Sequence, residues 1–396
     1  MYSKIIKLLA FLSIVSAQCV HYGDGKSNCP SDTPCCFQGY CDANAYFCML
    51  GNCEPKNSYS PDSCWPKPMC KNTNENFSNP SSLVDARDFT GDVDKEAWYS
   101  SELVNYSKIS NGNLVLALKP ASDLKATGQG TTVYFSRWID HGKITINAKS
   151  ACRSPGVVSS FIVRNEFGDE IDFEWVGKDT SNVQTNYYYN NELDYTKMVP
   201  SPNLGDTTSK YIQYTIDWQL DSISWYAAGN LIRTVRRADT WSVAENVYKF
   251  PDRPAQLSFS VWDGSNGRPK GTSDWAGSPI IYTPSTEYDF NIDNVQIKCL
   301  YSGNDTYKIP TKAMPQSADS QPSGSTTQAS GNAKPTPSSG SNTSSGGKND
   351  QVSLAEFQSG QSTILSPSSA SSRLQFTLFS LVSSLLTYFL IATFIV

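Results

Sequence analysis

The sequence predicts an all-β fold, a jelly-roll β-sandwich preceded by a small disulfide-rich module. Three observations carry that expectation. Between about residues 72 and 301, segment after segment is rich in β-branched and aromatic residues and is bounded by turn residues. No long stretch repeats its apolar residues at helical spacing. Nine of the eleven cysteines fall between Cys19 and Cys70, a segment too short to bury a stable core without staples.

In chain order, residues 1–17 carry Lys4 and Lys7, an apolar run, and Val15 and Ala17 at the −3 and −1 positions of a cleavage site, the layout of a secretory signal peptide. Secretion makes the cysteines disulfide candidates rather than metal ligands. In the module, 18–70, these are Cys19, Cys29, Cys35, Cys36, Cys41, Cys48, Cys53, Cys64 and Cys70; Cys152 and Cys299 lie far downstream. The odd total leaves one thiol free or paired outside the chain.

The large domain is expected over 71–302. Its strand-like segments are 113–118 (NLVLAL), 131–138 (TTVYFSRW), 143–148 (KITINA), 157–163 (VVSSFIV), 213–218 (QYTIDW), 223–227 (ISWYA) and 256–262 (QLSFSVW). Gly229-Asn230, between two of them, suits a tight hairpin turn. From 303 to 360 the composition turns to Ser, Thr, Gly and Pro; such a segment buries too little to offset its ordering entropy and reads as an extended stalk. Asn76, Asn105, Asn304 and Asn342 stand in N-glycosylation sequons. The end, 361–396, reads as a GPI-attachment signal, with Gly360 as the attachment residue. Leu374 to Val396 is nearly all apolar and no Lys or Arg follows it. A retained single-span helix is the alternative.

Composition narrows the chemistry. A net charge of −5 argues against a nucleic-acid partner. The two histidines, His21 and His141, disfavour serine-hydrolase triads and His-rich metal sites. Nothing points to a cofactor or a metal. Carboxylates and aromatics remain.

The carboxylates concentrate in DEIDFEW, 169–175, with four acids within six residues. On a strand, Glu170, Asp172 and Glu174 share one face, while Ile171, Phe173 and Trp175 share the other and anchor the strand. Glu170 and Glu174 Cα atoms are about 13 Å apart on a straight strand. Retaining glycosidases hold their two carboxyl groups about 5–5.5 Å apart, a gap that two Glu side chains leaning inward can close. Three carboxylates this close are driven to different pKa values, leaving one protonated as acid and one anionic as nucleophile. A solvated acidic face and a Ca²⁺ site are the competing readings of the same residues.

The stretch 169–177, DEIDFEWVG, resembles the Glu-x-Asp-x-Glu strand of glycoside hydrolase family 16, in the form found in the Crh family of fungal cell-wall transglycosylases. GVVSSFIV before it, QTNYYY after it, YTIDWQLDSISWYAAGNLIRTV (214–235) and SVWDGSNGRPKGTSDWAGSP (260–279) are similar in order and kind. The resemblance covers about 75–300. It implies a concanavalin-like sandwich, with Glu170 as nucleophile, Glu174 as acid/base and Asp172 tuning them. It also implies cleavage of chitin with retention and transfer to β-glucan or chitin acceptors in the wall. A plain hydrolase of β-glucan or chitin, and a non-catalytic wall lectin, are the alternatives.

Sugar rings present apolar faces, so aromatics bind them. Trp262 and Trp275, with Thr272 on the same loop, and Asn186 and Tyr188 on the following strand are the substrate-binding candidates. For Tyr188 and Trp218, core packing competes. The segment 29–48 is similar to hevein-like chitin-binding modules, which implies a stacking surface of Tyr40, Tyr46 and Phe47; a disulfide cap without affinity is the alternative. Cys64 and Cys70 resemble the short disulfide loop that opens the Crh catalytic domain.

Overall fold

The structure, a computed structural model, describes residues 19, 29–101 and 106–302. The expected signal peptide, stalk and attachment signal with Gly360, and the sequons at Asn105, Asn304 and Asn342, lie outside the described residues. Asn76 is exposed.

The module supplies strands β1 (Cys35–Phe37) and β2 (Tyr40–Asp42) and one helical turn, α1 (Ala45–Cys48). Next come β3 (Thr73–Glu75), β4 (Leu83–Asp85), β5 (Trp98–Ser100), β6 (Ser107–Ser110) and β7 (Asn113–Leu118). The long central strands are β8 (Thr131–Ile139), β9 (Gly142–Lys149), β10 (Val157–Arg164), β11 (Glu170–Val176) and β12 (Asp179–Tyr188). After β13 (Val199–Pro200) follow β14 (Ile212–Trp218), β15 (Ser222–Ala227), β16 (Asn230–Arg236), β17 (Trp241–Ser242) and β18 (Val247–Tyr248). The last elements are β19 (Ala255–Asp263), a seven-residue helix α2 (Lys270–Ala276) and β20 (Tyr288–Cys299).

Two eight-stranded sheets form the sandwich. One runs β13-β12-β11-β10-β19-β8-β5-β4; the other runs β16-β15-β14-β9-β20-β7-β6, with β3 added along β20. The expected strand segments all appear; 113–118 keeps its bounds and the others are lengthened by a residue or two. The hairpin turn is shifted by one residue: Ala228 and Gly229, with φ of 50° and 78°, make the turn, and Asn230 already begins β16. Both turn residues need the left-handed region, which Gly enters without steric cost.

The alternation in β11 sorts its side chains as expected. Ile171, Phe173 and Trp175 are buried between the sheets. Phe173 stacks on Phe161 of β10 (5.8 Å) and meets Tyr214 of the facing sheet edge-on (5.6 Å). The Trp175 indole Nε1 donates to the Tyr214 hydroxyl at 3.2 Å, so its polar atom is not stranded. Each such aromatic contributes about 3 kcal/mol by burial, which holds the strand in one register.

Five disulfides join Cys19–Cys36, Cys29–Cys41, Cys35–Cys48, Cys53–Cys64 and Cys70–Cys299. The Cys64–Cys70 loop therefore does not form. Cys64 closes the module instead, and Cys70 ties the start of the sandwich to the end of β20, 229 residues away. Closing so long a loop removes unfolded-state entropy worth about 5 kcal/mol in the chain-entropy description. The leftover thiol is Cys152. Its Sγ donates to the Trp175 carbonyl (3.1 Å), and burial pushes its pKa up to about 12. Native protein should thus resist alkylation by iodoacetamide and take up one equivalent only after denaturation; rapid labelling of folded protein would contradict this burial.

Candidate active site

The ladder carries the acidic face of β11 across its neighbours. On β12, Tyr188 stands opposite Glu170, Asn186 opposite Asp172 and Gln184 opposite Glu174. On β10, Arg164, Ile162 and Ser160 stand opposite the same three acids. Residues paired in register point to the same face, so these side chains form one floor.

Glu170 is 2 % exposed and Asp172 1 %, while Glu174 keeps partial solvent access. The Arg164 guanidinium donates through Nη1 to Glu170 Oε2 and through Nη2 to Asn191 Oδ1 at 3.1 Å. It balances the Glu170 charge in a buried position. Burial, reinforced by Glu174 and Glu170, holds the Asp172 carboxyl well above the usual carboxylate range; Arg233 works the other way. Asp172 Oδ1 has no hydrogen-bond partner among the described residues. The strand itself is pinned from beneath, since Trp225 Nε1 donates to the Asp172 carbonyl at 3.0 Å. Glu174 is pushed up to about 8 by burial and then by Glu170, against a hydrogen bond from Ser160. At neutral pH the site thus favours a protonated Glu174 beside the ion-paired Glu170, with Asp172 between them raised in the same direction.

The fourth acid, Asp169, does different work. It takes a bidentate ion pair from Arg253 (2.6 and 2.5 Å), accepts from Asn165 Nδ2 (3.1 Å) and from the Asn190 amide (2.9 Å), and clamps the turn that aims β11.

The predicted binding residues divide. Asn186 Nδ2 donates to the Tyr188 hydroxyl at 2.8 Å, and both line the acidic floor. Tyr188 stands opposite Glu170, and burial and then Asp172 drive its phenol upward in pKa. Trp218 is core, with its Nε1 donating to the Pro251 carbonyl. Trp262 and Trp275 stack on each other, centroids 6.0 Å apart. Trp275 sits on helix α2 rather than in an open loop, and Thr272 is half-buried on the same helix. The Trp275 Nε1 donates to Gln184 Oε1 (2.7 Å) and the Trp262 Nε1 to Ser160 Oγ (3.3 Å), linking the pair to the row that holds Glu174. Asp263 organises the loop, accepting from Ser265, Asn266, Gly128 and Tyr282.

The module disagrees with expectation. Tyr46 (4 % exposed) and Phe47 (6 %) are core residues, and Tyr46 packs edge-on against Tyr99 of β5. Only Tyr40, 37 % exposed, is left of the three-residue stacking surface. Two neighbouring rings, Phe37 and Tyr99, supply a drier environment than solvent for rings that the resemblance had placed on the surface.

Sequence reasoning missed Arg164, Gln184, Ser160 and Tyr195. Tyr195 is 64 % exposed, stands edge-on to Tyr188 at 6.3 Å, and has its phenol raised by burial and then by Glu170 and Glu174. The first three were findable: pairing the flanking strands antiparallel to β11 puts them beside the acids.

The family model of Glycosyl hydrolases family 16 matches residues 94–277. Congo red hypersensitive protein 2 of Saccharomyces cerevisiae (strain ATCC 204508 / S288c) is 32 % identical over 332 residues, covering 81 % of this chain and 68 % of that protein. The chain belongs to the Crh-like members of family 16. Another relative, Crh-like protein 3 of Botryotinia fuckeliana (strain B05.10), is 35 % identical over 305 residues. That match covers 74 % of this chain and 61 % of the relative's length, and Crh-like protein 2 of Aspergillus fumigatus (strain ATCC MYA-4609 / CBS 101355 / FGSC A1100 / Af293) is likewise matched over 61 % of its own length. Among solved structures, the Crh5 transglycosylase in complex with NAG is similar at 23 % identity with a TM-score of 0.48, over 60 % of this chain and 87 % of that one.

Proposed function

We propose that this protein is a cell-wall transglycosylase that cleaves chitin with retention and passes the glycosyl unit to β-glucan or chitin. The observation that carries this reading is the split among the three acids of β11: an ion-paired Glu170 beside a Glu174 raised to about 8. Glu170 attacks the anomeric carbon as Glu174 gives its proton to the departing glycosidic oxygen, leaving a glycosyl-enzyme ester and a free chain end. Glu174, now a carboxylate, takes the proton of an acceptor hydroxyl, which displaces Glu170 and restores both groups. Asp172, between them and raised in pKa by burial and by both Glu residues, limits the negative charge that accumulates on the floor. Sugar acceptors and water compete for the intermediate. A bound, oriented acceptor wins through effective molarity.

The same reading assigns residues 18–70 to a docked module, 71–302 to the catalytic domain and 303–360 to a stalk, with export by 1–17 and GPI anchoring at Gly360. Deleting 374–396 should release the protein into the medium; retention in the membrane fraction would count against the anchor.

Incubation of chitin oligomers with labelled β-glucan and chitin acceptors tests the activity. Labelled transfer products are expected. Hydrolysis products alone, with every acceptor, would favour the hydrolase. Trp275→Ala, which removes a stacking ring worth about 1 kcal/mol, should lower transfer yield more than donor cleavage. Equal losses would place Trp275 on the donor side or in the packing around Trp262.

A further inference from the structure

The acidic floor does not end at the edge of the sandwich. From Asp172 the register runs through Ile162 on β10, Ser258 on β19 and Tyr134 on β8 to Tyr99 on β5. From Glu170 it runs through Arg164 and Gln256 to Trp138. Both rows finish beneath the cysteine-rich module. Tyr99 is buried against Tyr46 and Phe89, with centroids at 5.4 and 4.9 Å, in one apolar cluster with Met49, Cys53 and Trp65. Tyr134 packs against the same cluster. The Trp138 ring lies against Gly51, where any Cβ would come within 2.1 Å of the indole, and under the Lys67 ammonium, 4.0 Å from the ring centroid. Lys67 also pairs with Glu166, in the turn leading to β11, at 2.6 Å. The module is thus seated on the face that holds the carboxylates, at the β8–β5 end.

We propose that the cysteine-rich module is a fixed wall of the cleft, which sets how many sugar rings fit on the β8 side of Glu170. The inference rests on the glycan reading above. Three strand spacings separate β11 from β8, about 14 Å, or roughly three pyranose rings laid across the strands. A glycan entering from the opposite side can be long, whereas its β8-side end meets the module. The module then acts as a specificity-determining element: cleavage falls at a set number of rings from one chain end.

End-labelled chitin oligomers of increasing length test this with the full chain. The expected wild-type result is a fragment of constant length, no longer than about three rings, from one labelled end whatever the oligomer. Gly51→Leu drives a side chain into Trp138, at a position whose φ of +108° already disfavours it, and should lift the module from the floor. Fragments from that end should lengthen severalfold in abundance beyond the wild-type limit. Lys67→Glu, which sets two like charges face to face at a half-buried ion pair, should produce the same shift to a smaller degree and serves if Gly51→Leu does not fold. A broad ladder from both ends in wild type, or an unchanged profile in a folded variant, overturns the wall. If the wild type cleaves nothing, calorimetric binding of the same oligomers decides. Affinity that stops rising with length in wild type but continues to rise in the variant upholds the wall and removes only the proposed activity; no difference, or no binding by either, overturns the wall too.

Discussion

Glu170→Gln and Glu174→Gln should each reduce turnover of chitin oligomers by about 10³-fold or more while the protein remains folded and secreted. The amides are near-isosteric, so the packing of Ile171, Phe173 and Trp175 on the other face is untouched. The two losses differ in kind. Glu170→Gln removes the atom that bonds to the sugar; Glu174→Gln removes the proton donor. The pH profile separates them. In wild type, Glu174 must be protonated to act as the acid, so kcat/KM should fall as pH rises through about 8. Substituting Glu170 removes a negative charge that helps raise Glu174, so the Glu174 pKa should drop in Glu170→Gln, measurable by carbon-13 NMR of the labelled carboxyl. Near-normal rates in either variant would remove these roles, and a Glu174 that titrates near 4 would remove the electrostatic account.

Asp172→Asn should lower activity less than either Glu substitution and should make the protein more stable. Burial and two adjacent carboxylates raise the folded-state pKa of Asp172 above its unfolded value. The sign follows from linkage. The contribution of such a group is fully present below the unfolded pKa, near 3.8, and is lost as pH climbs toward the folded pKa, because the unfolded chain ionises first. Asn does not ionise and avoids that loss. The gain should be small at pH 4 and grow as pH rises to 8, read from urea midpoints across that range. The Asn amide also brings donors to a place where Glu170 and Glu174 offer acceptors. A variant less stable than wild type at pH 8 would mean that Asp172 is held as an anion by Arg233, a half-buried guanidinium itself lowered in pKa by burial. Gained stability with lost activity is the trade expected where like charges are crowded for chemistry.

The sequence by itself determined the sandwich and the face carrying Glu170, Asp172 and Glu174, because a period of two admits one assignment of faces once Ile171, Phe173 and Trp175 must be buried; the register that sets Asn186 and Tyr188 opposite Asp172 and Glu170 came from the folded sheet. Eleven cysteines also told that one would find no partner within the chain. Tertiary structure alone decided which one, since a disulfide such as Cys70–Cys299 depends on where 229 intervening residues bring the two ends. It also decided the fate of aromatics outside regular strands. Tyr46 and Phe47 resemble a sugar-binding surface in a short cysteine-rich segment, but Tyr99 and Phe37 offer them apolar contact, and burial there outweighs exposure. The role of Asp169 was hidden for the same reason. Its partner, Arg253, lies 84 residues away, and only folding brings that guanidinium to the turn, making one acid of four a clamp while the other three share the floor.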